Sequence, residues 1–115
     1  MLFLEYPPCT TCKKARKWLE EHHVAFTARH IKEENPSYEE LKLWYERSGL
    51  PLKKFFNTSG LLYKELKLKD KIPTMTEEEQ IELLSTNGML VKRPLIIGED
   101  FVLVGCKEAE WEKLK

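Results

Sequence analysis

Apolar runs near both ends of the chain enclose a long middle stretch in which apolar positions recur at helical spacing. Leu2 to Tyr6 is a brief apolar run closed by Pro7-Pro8, which reads as a buried strand entering a turn. From Thr10 to His23 there is neither Gly nor Pro. Cys12, Ala15, Leu19 and His22 or His23 recur every third or fourth position beside Trp18, which predicts an amphipathic helix. Val24 to Ile31 then alternates, with Val24, Phe26 and Ala28 on one side, and predicts a second strand. Ser37 has the character of an N-cap and Glu40 completes a capping box. The helix they open carries Leu41, Trp44 and Tyr45 inward and stops at Gly49. The segment LKKFFNTSG, Leu52 to Gly60, reads as a loop plugged by Phe55 and Phe56, and a short helix is expected from Leu61 to Leu68. Thr76 followed by three glutamates caps another helix, with Ile81 and Leu84 on its inner face and a stop at Asn87-Gly88. Pro94 to Ile97, a Gly98-Glu99-Asp100 turn and Phe101 to Val104 predict a hairpin, with a final helix from Lys107.

The predicted order is strand, helix, strand, helical block, strand, strand, helix. Apart from the block, that is the thioredoxin-like arrangement: an α/β fold with a small mixed sheet and helices on both faces. The expectation is therefore one domain over residues 1–115, with a helical insertion at about 37–88 between the second and third strands. With 115 residues and 42% hydrophobic content, such a domain can bury a core without covalent staples. Charge narrows the function. The 19 basic and 19 acidic side chains cancel, so no global field favours nucleic acid or an anionic membrane. The densest basic stretch, KELKLKDK from Lys64 to Lys71, is broken by Glu65 and Asp70 and reads as a solvated helix end. No apolar run approaches the roughly 20 residues needed to span a bilayer, and the first residues lack the basic flank of a signal peptide. A cytoplasmic monomer without nucleic-acid or membrane partners is expected.

The three cysteines are too few, and odd in number, for a secreted disulfide scaffold. Cys9 and Cys12 are separated by two residues, between a strand and a helix, where a redox pair is expected. A nucleophilic thiol must be ionised near neutral pH, and a helix N-terminus favours the thiolate through its unpaired N–H groups and dipole. Cys9 falls at that end. Cys12, one turn further on, is close enough to attack a mixed disulfide formed on Cys9. Lys13 and Lys14 add positive charge nearby. Two other readings stay open: a zinc site completed by two of His22, His23 and His30, or two thiols that merely pack. Cys106, at the end of the last strand, reads as a small buried residue. In a thioredoxin-like arrangement the proline opening the third strand, Pro94, is expected in the cis form across from the active thiol, where the strand edge can pair with an extended thiol substrate. Arg93 before it would then aim its guanidinium at Cys9 and hold a thiolate, carboxylate or oxyanion.

Three motifs, C-x-x-C-x-K-A-x-x-W-L-E-E from Cys9, K-x-F-N-T-S-G from Lys54 and G-M-L-V-K-R-P from Gly88, occur in this order over nearly the whole chain. Together they make the sequence resemble the arsenate reductase-like (ArsC/Spx) family, and within it the small bacterial branch described as YffB-like or YusI-like. The resemblance implies a thioredoxin-like domain with a helical insertion, a nucleophilic cysteine matched by Cys9, a second cysteine matched by Cys12, and an arginine before a cis-proline matched by Arg93 and Pro94. Thr10, Thr11, Lys13 and Lys107 are the further expected substrate-binding positions. Arsenate reductases of the family carry two more arginines. Here the corresponding places read Asn57-Thr58-Ser59-Gly60 and Lys107, and losing two forked donors weakens oxyanion chemistry. The implied function is thus a thiol-disulfide oxidoreductase acting on a small thiol or disulfide. It would need no tightly bound cofactor or metal, with glutathione or another low-molecular-weight thiol as co-substrate. The alternatives are a redox-sensing transcriptional regulator that binds the RNA polymerase alpha subunit and, behind it, an arsenate reductase.

Overall fold

Strict alternation along two short strands divides the apolar residues between two cores. The computed structural model describes residues 1–105 and 108–114. Strand β1 (Leu2–Glu5) lies between β2 (Thr27–His30), which is parallel to it, and β3 (Leu95–Ile97), which is antiparallel; β4 (Val102–Val104) closes the order β2-β1-β3-β4. Side chains two residues apart share a face of a sheet. Leu4, Leu95, Ile97, Val102 and Val104 accordingly join the larger core, whereas Phe3 and Ile96 join the smaller one. The smaller core packs Ala15 and Leu19 of helix α1 (Thr10–Glu21) with Trp111 of α6 (Glu108–Trp111). The result is the expected α/β, thioredoxin-like fold, a mixed sheet flanked by helices.

The larger core is roofed by the segment between β2 and β3, which contains α2 (Tyr38–Ser48), α3 (Leu61–Glu65), α4 (Leu68–Lys71) and α5 (Glu77–Thr86). The expected capping box of Ser37 with Glu40 is formed on α2, Thr76 caps α5 as expected and makes a second box with Glu79, and Gly49 ends α2 in the left-handed conformation. Leu41 and Trp44 of α2, Phe55 and Phe56 of the plug, and Ile81 and Leu84 of α5 are buried together, while Tyr45 is only partly so. The block is tied to the sheet by Arg29 on β2. Its guanidinium forks onto Glu40 at 2.6 and 2.9 Å and also donates to the carbonyls of Glu34 and Asn35. Gly88 passes so close to β2's end that a Cβ built there would lie 1.8 Å from the Ile31 carbonyl oxygen.

Two elements differ from expectation. The second strand is half the predicted length: the chain leaves α1 through His23 at φ 55°, and Val24 N–H returns to the Leu19 carbonyl, so Val24 and Phe26 pack beside α1 before the ladder begins. The single helix expected from Leu61 to Leu68 is broken into α3 and α4 at Lys67, whose φ is 53°. Tyr63 and Leu68 are both buried, yet five residues apart they would face about 140° apart on one straight helix. The break brings both to the core and leaves Leu66 at the surface.

Candidate active site

Pro7-Pro8 ends β1 and turns the chain so that Cys9 becomes the N-cap of α1 in an extended conformation, with φ −73° and ψ 124°. The turn is closed by Cys9 N–H donating to the Tyr6 carbonyl at 2.8 Å, and the helix begins with Lys13 N–H donating to the Cys9 carbonyl at 3.0 Å. No side chain caps this helix through a hydrogen bond, so its first N–H groups are left to the sulfur. Both cysteines are free thiols; Cys9 is partly exposed and Cys12 is buried against the sheet.

The same turn treats the two sulfurs in opposite ways. Burial works to raise the Cys9 pKa, but the N–H and thiol of Cys12, the N–H of Thr11 and the Arg93 guanidinium together outweigh it and lower the value below that of an ordinary cysteine. Cys12 is pushed up to about 12, first by burial and then by the charge of Cys9; the Tyr6 N–H, 3.4 Å from its sulfur, and Arg93 only partly oppose this. The turn thus favours ionisation of one sulfur and opposes ionisation of the other.

Across from Cys9 the Arg93-Pro94 peptide is cis, and Pro94 opens β3 as expected. The Pro94 carbonyl is occupied by the N–H of Gly105 at 2.9 Å, so that carbonyl serves the hairpin rather than a substrate. Arg93 carries its guanidinium carbon 5.1 Å from the Tyr6 ring centroid. Its Nε and Nη1 are buried and find no hydrogen-bond partner among the described residues. Beside Arg93 runs a cleft of about 530 Å³, bounded by Lys32, Asn57, Ser59, Leu61, Asn87 and Met89. Asn57 is a buried polar residue of its wall; its N–H donates to Leu90 and its Oδ1 accepts from Ser59.

The structure therefore brings Cys9, Cys12, Arg93 and Pro94 together. Thr10 and Thr11 are exposed, and Thr11 acts on Cys9 through its backbone. Lys13 is exposed as well and meets Cys9 through its backbone N–H. Lys107 and Cys106 lie outside the described residues. The three histidines have separate surroundings: His22 stacks on Trp18 with its Nδ1 at the Trp18 carbonyl, His30 Nδ1 accepts from the N–H groups of Lys32 and Glu33, and His23 forms the left-handed turn. Among the described residues no three His, Cys, Asp or Glu side chains are grouped to hold a metal. The sequence reading gave no role to Tyr6, which supports both Cys12 and Arg93. An aromatic three residues before a helix-capping cysteine was the available signal.

A family model, the ArsC family, matches residues 4–114. The chain is 56% identical over 113 residues to YusI of Bacillus subtilis, covering 98% of this chain and 96% of that one. It is 33% identical over 105 residues to the global transcriptional regulator Spx of Enterococcus faecalis, covering 90% and 77%. The crystal structure of an ArsC family related protein from Bacteroides fragilis superposes with a TM-score of 0.97 at 67% identity, covering 99% of this chain and 96% of that one.

Proposed function

This chain belongs to the ArsC family, and with that as premise we propose that it is a thiol-disulfide oxidoreductase whose redox couple is Cys9 and Cys12. The observation that carries the proposal is the split between the two sulfurs: one lowered thiol at a helix N-terminus and one buried thiol pushed up to about 12, three residues further on in the same turn. The Arg93 guanidinium is among the groups that lower the Cys9 value, which supports a role for it beside the nucleophile.

The Cys9 thiolate attacks one sulfur of a small disulfide RSSR, forming a Cys9–SR bond and releasing RS⁻. Cys12 gives up its proton and attacks the Cys9 sulfur, forming the Cys9–Cys12 disulfide and displacing the second RS⁻, which takes the proton. The protein is oxidised by two electrons and the substrate is reduced to two thiols. Reaction with a low-molecular-weight thiol such as glutathione runs the sequence backwards. Arg93 holds the thiolate and orients the incoming group.

The test is exposure of the reduced protein to oxidised glutathione, followed by alkylation of free thiols and intact-mass and peptide mapping. A Cys9–Cys12 disulfide is expected, with Cys9→Ser inert and Cys12→Ser accumulating a stable adduct on Cys9. Equal reaction of all three cysteines overturns the proposal. The likeness to Spx supports a second reading, a redox-sensing regulator of transcription. That reading requires oxidation-dependent capture of the RNA polymerase alpha subunit and poor turnover with small thiols.

A further inference from the structure

The break at Lys67 has a second effect. On one unbroken helix Tyr63 and Lys69, six residues apart, would face about 120° apart. With the left-handed turn between α3 and α4, both line a single cleft of about 500 Å³ within the helical roof. This cleft shares no lining residue with the one beside Arg93. Two of its aromatic rings are already fixed. Tyr45 meets Phe55 edge-on at 6.2 Å and donates its hydroxyl to Glu77 Oε1 at 3.0 Å, and Tyr63 meets Phe56 edge-on at 6.2 Å. Walls that are ordered before a ligand arrives cost little to bind against. The charges are less well matched. Lys53 and Lys69 line the cleft, and neither ammonium has an ion pair or hydrogen bond among the described residues. Glu77, the acidic side chain of the lining, is already engaged by Tyr45. The surrounding sequence keeps the sign positive, since from 52 to 72 six lysines stand against Glu65 and Asp70 in a chain that is neutral as a whole.

We propose that this cleft is a second binding site, for a small aromatic anion whose flat apolar body lies against the tyrosine rings and whose acidic group meets the ammoniums of Lys53 and Lys69. Its size suits such a molecule: small-ligand sites run from about 300 to 1,000 Å³ and are mostly apolar, with a few placed polar groups. The apolar share is supplied by Leu52, Ile72 and Met75 beside the rings. An ammonium acts as a point charge, so the two lysines select for negative charge without demanding the two-oxygen geometry that a guanidinium fork imposes. A carboxylate, a sulfonate or a phosphate monoester meets that requirement equally. The inference does not depend on the oxidoreductase reading, because the cysteines belong to α1 and its N-cap, and no lining residue of the cleft does.

The probes are 8-anilinonaphthalene-1-sulfonate, an aromatic anion, and N-phenyl-1-naphthylamine, the same aromatic body without the charge. Each is titrated by fluorescence into the reduced protein, while the methyl resonances of Ile72, Met75 and Met89 are followed by NMR. Saturable binding of the sulfonate is expected, with movement of the Ile72 and Met75 methyls and a stationary Met89 methyl, which lines the other cleft. The double variant Lys53→Gln/Lys69→Gln, changed at two exposed positions, should bind the sulfonate at least about fivefold more weakly and the neutral probe as before. Raising the salt from about 20 to 500 mM should likewise weaken only the sulfonate. Failure of the folded protein to bind the sulfonate overturns the site. So does a double variant that weakens both probes alike or neither, or a response at Met89 in place of Met75.

Discussion

Closure of the disulfide is expected to depend on pH in a way set by Cys12. Its pKa is raised from an ordinary 9.0 to about 12. At neutral pH this lowers its thiolate population about a thousandfold relative to an ordinary cysteine. Greater basicity makes the thiolate a better nucleophile, which recovers roughly 20-fold, so the net slowing is roughly 50-fold. In the mixed disulfide Cys9 no longer carries charge, but burial, the first cause of the shift, remains. The closure rate should therefore rise about tenfold per pH unit from pH 6 to pH 9 with no plateau in that range. The perturbation is a pH jump on protein charged at pH 5 with a single glutathione on Cys9; acid-quenched samples are followed by intact mass as the adduct disappears. A rate that levels off below about pH 8 would refute the reasoning, because it would require Cys12 to ionise like an exposed thiol.

The fold offers three further tests. Glu40 is held down at about 2 by the Arg29 fork, against 4.5 for a free carboxyl, and its side chain remains 35% exposed. A depressed carboxylate stabilises the fold above its unfolded pKa and stops doing so as pH falls through its folded value. Glu40→Gln should thus cost about 1–2 kcal/mol in urea unfolding at pH 7, after allowance for solvent screening, and the difference should fade between about pH 5 and pH 2; a pH-independent difference would refute the assignment. Arg16→Met strands the Glu5 carboxylate, which is 7% exposed and paired to Arg16 at 2.5 Å, and should destabilise by about 3 kcal/mol, with Glu5→Gln restoring part of the loss in the double variant. Gly88→Ala forces a Cβ against the Ile31 carbonyl and should lower the unfolding midpoint by the equivalent of about 1–3 kcal/mol; an unchanged midpoint would mean that the backbone moves freely there.

The parts of the fold that local chemistry decides were legible in the sequence. Ser37 with Glu40 and Thr76 with Glu79 mark helix starts because each box is written within four residues, and alternation in Phe3-Leu4 and Leu95-Ile96-Ile97 marks the sheet and its two faces. Lys67 was not legible, since nothing in KELKLKDK tells a helix to break; the need to bury both Tyr63 and Leu68 does, and that is tertiary. In the site, the place of Cys9 followed from strand, turn and helix. The environment of Arg93 did not, because Tyr6 packs on it and Asn57 shares its cleft from segments distant in sequence. Glu5 within the apolar run LFLEY was a visible anomaly whose partner, Arg16, only the packing of α1 on β1 discloses.

The division of the sheet into two apolar faces has a dynamic consequence for the site. Cys9 and Cys12 ride on α1, whose Ala15 and Leu19 belong to the smaller core, whereas Asn57 and the cleft wall belong to the segment roofing the larger one. Neighbouring layers of a protein can open separately, with their own free energies. Amide exchange in α1 and in α2 and α5 should then fall into two tiers, and a transient loosening of the helical roof would widen the cleft without disturbing the sulfurs. The reactive pair and the groove beside it can vary independently, so relatives with the same cysteines have room to accept different molecules.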